Sequence, residues 1–297
     1  MKILLMAIPF FIVTMFIEWR LSASRTIKGY ESLDTAASLG MGIGNLVIMF
    51  FTKMFTFALY MAIYEFRFFE LSMDVWWVWV LLITADDFCY YWFHRAGHEV
   101  RLFWAAHVNH HSSQHYNLST ALRQSWTAPL IGWPFWMALP LLGFHPLALG
   151  LSQVINLLYQ YWLHTELIDR MGPYQLLFVT PSHHRVHHGS DPQYLDRNHG
   201  GILIIWDRLF GTFENEVERP IYGLTHNLES HNIFVVAFHE WAAITKDLFA
   251  AKTWRGRLGY LFGPPGWRED GQGLTSKMLR QQFLEDSALP PTTRAAA

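Results

Sequence analysis

Residues 37–64 form an apolar run broken by one charged side chain, Lys53, and four more such runs fall at 3–17, about 75–93, about 128–144 and 146–163. Runs of this kind allow few folds. In hydrocarbon no water satisfies backbone N–H and C=O groups, so a crossing segment must be a helix or part of a closed barrel. Length without strict alternation points to helices. Hydrophobic residues make up 52% of the chain and charged ones only 15%, against about 25% in ordinary soluble domains. The prediction is an all-α integral membrane bundle of about four to five transmembrane helices, with Lys53 either snorkelling or marking a break.

The first run begins Met-Lys but leads into Glu18, Trp19 and Arg20 rather than a small-residue cleavage site, so it reads as a retained anchor. Runs four and five meet at His145 and Pro146, a link short enough for an antiparallel hairpin. Arg20, Arg25 and Lys28 follow the first run, Arg95, Arg101 and Arg123 the third, and Arg170 the fifth, whereas Glu65, Glu70 and Asp74 outnumber Arg67 after the second. By the positive-inside rule the ends of runs one, three and five are cytoplasmic, and every histidine-rich stretch lies with them. The polar, turn-rich stretch 172–220 then reads as a cytoplasmic helical cap, and 233–251 as an amphipathic helix at the interface or on the cap. Residues 1–270 are expected to form a single membrane-embedded domain, and 271–297 a mobile polar tail. Lys+Arg 22 against Asp+Glu 24 leaves no excess of positive charge for nucleic acid. Cys89, the only cysteine, rules out an intramolecular disulfide and reads as a small buried apolar residue.

Histidine is therefore the plentiful soft ligand. "HRAGH" carries His94 and His98, "HVNHH" carries His107, His110 and His111, and "HRVHH" carries His184, His187 and His188. Residues at i, i+3 and i+4 share one helix face, so each cluster can aim its rings at one point. Crowded imidazoles repel when protonated unless something compensates, and a metal does. Eight histidines exceed the four to six ligands of one ion, so two metals are implied. A closed structural zinc site needs four ligands, whereas a pair of redox metals with open positions uses this many. His164, in "YQYWLHTE" at the same level, joins the ligand set. His183 stands beside a ligand and points elsewhere on a helix; His115 and His199 lie off the spacing, as groups on the substrate side or partners of ligands. His145, His226, His231 and His239 read as structural.

Metal-bound imidazoles usually donate their other N–H to carboxylates or carbonyls. Asp86, Asp87, Glu99, Glu166 and Asp169 stand near the motifs, and Asp87 and Glu99 are the two carboxylates assigned to the active site. Asn117, Arg123, Gln124, Asn156, Tyr159 and Gln160 are candidates to line a lipid cavity under the rings, with Asn198 near the metals.

The order HxxxH, HxxHH and a distant HxxHH, with "YYWFHRAGHE" and "WDRLFGTF" around it, resembles the fatty acid hydroxylase and sterol desaturase superfamily over about residues 80–215. The resemblance implies membrane enzymes that hold two irons and use molecular oxygen, with zinc a substitute acquired on purification. Its carried-over ligands are His94, His98, His107, His110, His111, His184, His187 and His188; His164 matches a further family histidine and Glu99 a glutamate after the first motif. "NLSTALRQSW", "LLYQYWLHTELI" and "LDRNHGGILIIWDRLFGTFENE" are similar to its glyceryl-ether-cleaving branch. That branch hydroxylates the ether-bearing carbon with tetrahydrobiopterin as reductant and releases an aldehyde and glycerol. Animal members carry more hydrophobic helix beyond the cap, and shorter chains are typical of bacteria, so a bacterial inner membrane is the expected location.

No GxGxxG after a strand and no P-loop is present, so electrons are expected from a dissociable pterin or an electron-donor protein. The leading expectation is a lipid monooxygenase. Its alternatives are a sterol, fatty acyl or carotenoid hydroxylase or desaturase, and a zinc-binding membrane protein without oxygenase activity. The last predicts ligands through the membrane midplane, whereas these lie at one face.

Overall fold

The computed structural model describes residues 2–24 and 29–288; Arg25, Lys28 and residues 289–297 of the expected tail lie outside the described residues. The helices are α1 (Lys2–Ser24), α2 (Ser32–Tyr64), α3 (Trp76–Glu99), α4 (Arg101–Trp104), α5 (Val108–His111), α6 (Ala128–Ile131), α7 (Ala138–Leu142), α8 (Pro146–Tyr161), α9 (Pro181–His187), α10 (Ile205–Phe210), α11 (Ile233–Ala250), α12 (Trp254–Phe262) and α13 (Ser276–Ala288). Among the described residues there is no strand, only the isolated bridges Phe178–Leu203 and Gly189–Tyr222.

Residues 6–24 of α1 and the whole of α2 are long and apolar enough to cross a membrane. The α2 helix starts where the Glu31 side chain accepts the Asp34 N–H at 2.7 Å. It runs unbroken past Lys53, whose ammonium donates to Gln153 Oε1 at 2.5 Å, and it turns Val47, Phe50, Phe51, Met54 and Phe55 outward. An exposed apolar face of this kind is suited to lipid. The third run is a 24-residue helix, α3, with Asp86 and Asp87 buried inside it.

The fourth run is not one helix. It is divided into α6, a 3₁₀ turn at Trp133–Trp136 and α7, with Pro129 and Pro134 in the first turns of the first two, because proline removes an N–H donor and clashes with the preceding turn. Gly143, at φ 107, turns the chain into α8, where a Cβ would meet the Phe69 carbonyl oxygen at 2.1 Å. Tyr60 of α2, Val78 and Leu82 of α3, and Leu149 of α8 pack with Trp136 and Leu139 into the main core. Cys89 lies buried there with a free thiol.

Charged groups join this bundle to the rest. Arg123 and Asp34, both buried, meet at 2.7 Å, with Arg123 also donating to Ser112 Oγ and Ser113 Oγ donating to Asp34. The network fastens the start of α2 to the segment just after His111. Arg101 of α4 binds Glu240 and Asp247 of α11 at 2.7 and 2.6 Å, and Val236 and Ala237 of α11 pack with Met41 of α2 and Trp126. Part of the expected mobile tail is the helix α13, whose Arg280 pairs with Glu214 and donates to the Gln193 carbonyl.

Removing one partner of the Arg123–Asp34 pair strands a buried charge. Asp34→Ala should lose about 3–5 kcal/mol of stability, and adding Arg123→Met should recover much of it. Denaturant unfolding in detergent checks this; a single-variant loss below about 1 kcal/mol would contradict it.

Candidate metal centre

The last two turns of α3 carry His94 and His98, while His107, His110 and His111 come from α5 and the residue before it. His164 follows α8, and His184, His187 and His188 come from α9 and the residue after it. Arg185, fully buried on α9, sets the roll of that helix: it grips Glu216 through both carboxylate oxygens and donates to the Thr165 and Ile168 carbonyls.

All nine predicted ligands converge, in two groups. One is His94, His98, His107, His111 and His187; the other is His110, His164, His184 and His188, and within each the ligand atoms all lie within 4.8 Å of one another. The adjacent pairs His110–His111 and His187–His188 are split between groups. Neighbours on a helix point about 100° apart, so each HH pair serves two points.

Backbone carbonyls orient three of the rings. Nδ1–H of His94 donates to the His199 carbonyl at 2.8 Å, that of His164 to Gln160 at 3.0 Å, and that of His187 to Arg197 at 2.9 Å. A carbonyl only accepts, so the proton is fixed on Nδ1 and Nε2 is left with a free lone pair. These Nε2 atoms face inward. His94 and His111 Nε2 each stand 3.0 Å from His107 Nε2, and His164 Nε2 stands 3.2 Å from His110 Nε2 and 3.1 Å from His184 Nε2.

A metal pair fits this donor set. Three lone-pair nitrogens crowded together cannot all be satisfied by shared protons, and the Nε2 atoms of His98, His187 and His188, with Nδ1 of His110 and His184, have no partner among the described residues. Buried polar atoms left unmade are rare and costly. Imidazole nitrogens on carbonyl-fixed rings, gathered in two sets, are what two divalent ions of the zinc or iron type require.

Neither Asp87 nor Glu99 is hydrogen-bonded to an imidazole, which corrects the assignment of both as partners of the rings. Asp87 accepts the N–H groups of Ile202 and Leu203, the Trp206 indole N–H and the Asn156 amide, because a carboxylate buried in an apolar helix needs donors and the incoming loop offers them. Glu99 lies partly exposed and pairs with Arg95 at 2.9 Å, one helical turn away. Asp86 accepts from Trp136 and Ser152, and Glu166 and Asp169 meet Arg219. The acidic side chain nearest a ring nitrogen is one the sequence did not single out, Asp196, whose Oδ1 is 3.5 Å from His98 Nδ1. The carbonyls of Gln160, Arg197 and His199 were missed too, since a backbone oxygen has no residue signature.

His183 is buried but outside both groups, its ring packed on Phe213. His115, His145, His226, His231 and His239 also fall outside them. A cavity of about 570 Å³ lies between α2, α3 and α8, with Gln124, Asn156 and Gln160 in its wall as expected. Two lining residues touch the centre: Gln160 holds His164, and the Tyr90 ring lies 5.2 Å from that of His94. Asn117, Arg123 and Tyr159 do not line it. They are engaged by Gly29 and Ser119, by Asp34, and by Val179 respectively.

Residues 79–212 match the fatty acid hydroxylase family. The chain is 42% identical to alkylglycerol monooxygenase of Homo sapiens over 283 residues, 94% of this chain and 62% of that protein. To the Danio rerio protein of the same name it is 40% identical over 263 residues, 88% and 59%. An ornithine lipid hydroxylase of Rhizobium tropici is 34% identical over 141 residues, 46% of this chain and 41% of that one. The chain thus spans about three fifths of the animal relatives. No solved structure matches it.

The rings of His107, His110, His111, His184, His187 and His188 are held well below the ordinary imidazole range by burial first and by neighbouring imidazoles second. In the unfolded chain each titrates near about 6.5. As pH falls through that value the unfolded state takes up protons that the folded state refuses, so stability present above it is lost below it. After chelation, the midpoint of thermal unfolding in detergent should fall steadily from about pH 7 to about pH 5. A flat midpoint would mean that these rings are not packed together in the neutral form.

Proposed function

From the premise that residues 79–212 are a fatty acid hydroxylase domain, we propose that this protein is a membrane-bound, oxygen-dependent lipid monooxygenase whose nine converging imidazoles hold two iron ions. The observation that carries the reading is the pair of nitrogen clusters beside a mainly apolar cavity. When bound, the ion pair supplies oxygen activation and oxidation of a C–H bond, chemistry that no side chain here can perform.

The chain's own residues do the rest. His94, His98, His107, His111 and His187 are the ligands of one ion, and His110, His164, His184 and His188 those of the other. The carbonyls of Gln160, Arg197 and His199 keep Nε2 of His164, His187 and His94 free to coordinate. Asp87 acts at one remove, by fastening the loop at 202–203 to α3. The cavity takes the hydrocarbon of a lipid, and burial of the rings excludes bulk water.

Animal relatives are named alkylglycerol monooxygenase, and the substrate class we propose is accordingly an alkyl ether lipid, cleaved to an aldehyde and glycerol. Tetrahydrobiopterin or an electron-donor protein is the reductant. Residues 1–270 form one membrane-embedded domain in a bacterial inner membrane, with a bundle of about four to five crossings and the histidine cap on the cytoplasmic side; residues 271–297 are an appended tail. The likeness to an ornithine lipid hydroxylase favours, as a second reading, hydroxylation of a different lipid.

Iron-supplemented membranes carrying the protein should release aldehyde from an alkylglycerol only when tetrahydrobiopterin is present. No aldehyde, with iron confirmed in the protein, would remove the ether substrate and move the search to other lipids and a protein donor. His187→Ala should reduce turnover to background while leaving membrane insertion intact; full activity would take His187 out of the ligand set.

A further inference from the structure

His199 stands outside all three histidine motifs, yet the fold seals its ring against the centre. It is 0% exposed. Its ring centroid lies 5.0 Å from that of His98, 5.7 Å from His187 and 5.8 Å from His94. Separations within the five-histidine group itself include 4.3 Å for His94–His187 and 6.3 Å for His107–His187. Neither ring nitrogen of His199 meets a hydrogen-bond partner at good geometry, although the Asp196 main-chain carbonyl lies close enough to the ring to favour its protonated form. A neutral imidazole carries one donor and one acceptor, and a dry interior rarely leaves both unmade.

The loop that carries His199 is firmly built. Asp196 and Asn198 adopt left-handed backbone, at φ 55 and 56. Asp207 accepts the His199 N–H at 2.7 Å and the Gly200 N–H at 2.8 Å. The Asn198 amide donates to the carbonyls of His183 and Glu214. The His199 carbonyl in turn holds His94. The backbone of residue 199 is thus pinned on both sides.

We infer that His199 is a further imidazole ligand of the ion held by His94, His98, His107, His111 and His187. That ion then has six nitrogen ligands and no vacant position, so the exchangeable positions fall on the ion held by His110, His164, His184 and His188. The cavity borders both groups, through Gln160 at His164 and through Tyr90 at His94. His199 is not among the five residues whose ligand atoms are mutually within 4.8 Å. Rotation about the His199 side-chain torsions, with the backbone fixed, is what would bring a ring nitrogen within ligand distance. The inference rests on the two-metal reading above.

Cobalt titration of the full-length, metal-stripped protein in detergent tests it, because six-coordinate cobalt(II) absorbs visible light far more weakly than four- or five-coordinate cobalt(II). The wild type should bind two cobalt ions, one of them contributing little absorption. His199→Phe and His199→Gln should each weaken one ion by about tenfold or more, and the phenylalanine variant should intensify its absorption. Two ions of equal, strong absorption in the wild type would overturn the assignment without recourse to any variant. So would wild-type affinity and spectrum in both variants. A wild type that binds fewer than two ions would instead overturn the two-metal reading.

Discussion

Three hydrogen bonds from imidazole Nδ1–H groups to main-chain carbonyls organise this molecule. A ring held by a carbonyl has one tautomer and one direction, and its free nitrogen is committed to whatever lies opposite. His94, His164 and His187 are held in this way, and they belong to both groups. Rings thus aimed set the free lone pairs of His94 and His164 about 3 Å from the Nε2 atoms of further imidazoles. Without a cation that arrangement opposes folding, and a bound metal would offset the cost.

The carbonyls must themselves be placed, and two buried carboxylates do that work. Asp87 gathers the N–H groups of residues 202 and 203 against α3, and Asp207 gathers those of 199 and 200. Between them the segment 199–203 is fixed to the helix that carries His94 and His98. Acidic side chains in an apolar helix are costly unless several donors meet them, and here those donors are the backbone of the cap. The same logic applies to Arg185 with Glu216 and to Arg123 with Asp34, each of which locks a histidine-bearing segment from behind.

Much of the site was legible because metal chemistry restricts residue type and spacing. HxxxH and the two HxxHH motifs can be read from the chain, and all nine predicted ligands lie in the two groups. Asp87 and Glu99 misled for a physical reason. Proximity in sequence to a ligand does not determine which way a carboxylate turns, and each found stronger claims on it, from backbone amides in one case and Arg95 in the other. Helix existence was plain from apolar runs, whereas the fourth run broke at its prolines despite its hydropathy.

The sequence by itself determined the helical class and the concentration of imidazoles in three motifs, because backbone satisfaction in an apolar medium and motif spacing are local properties of residue order. Only the tertiary structure decided how the histidines divide. His110 parts from His111 and His187 from His188, because successive positions on a helix face different directions and partners arrive from distant helices. It also decided that main-chain oxygens rather than acidic side chains hold His94, His164 and His187, and that the His199 ring lies against the five-histidine group. Those outcomes depend on where a loop is pinned in three dimensions, which no spacing along the chain encodes.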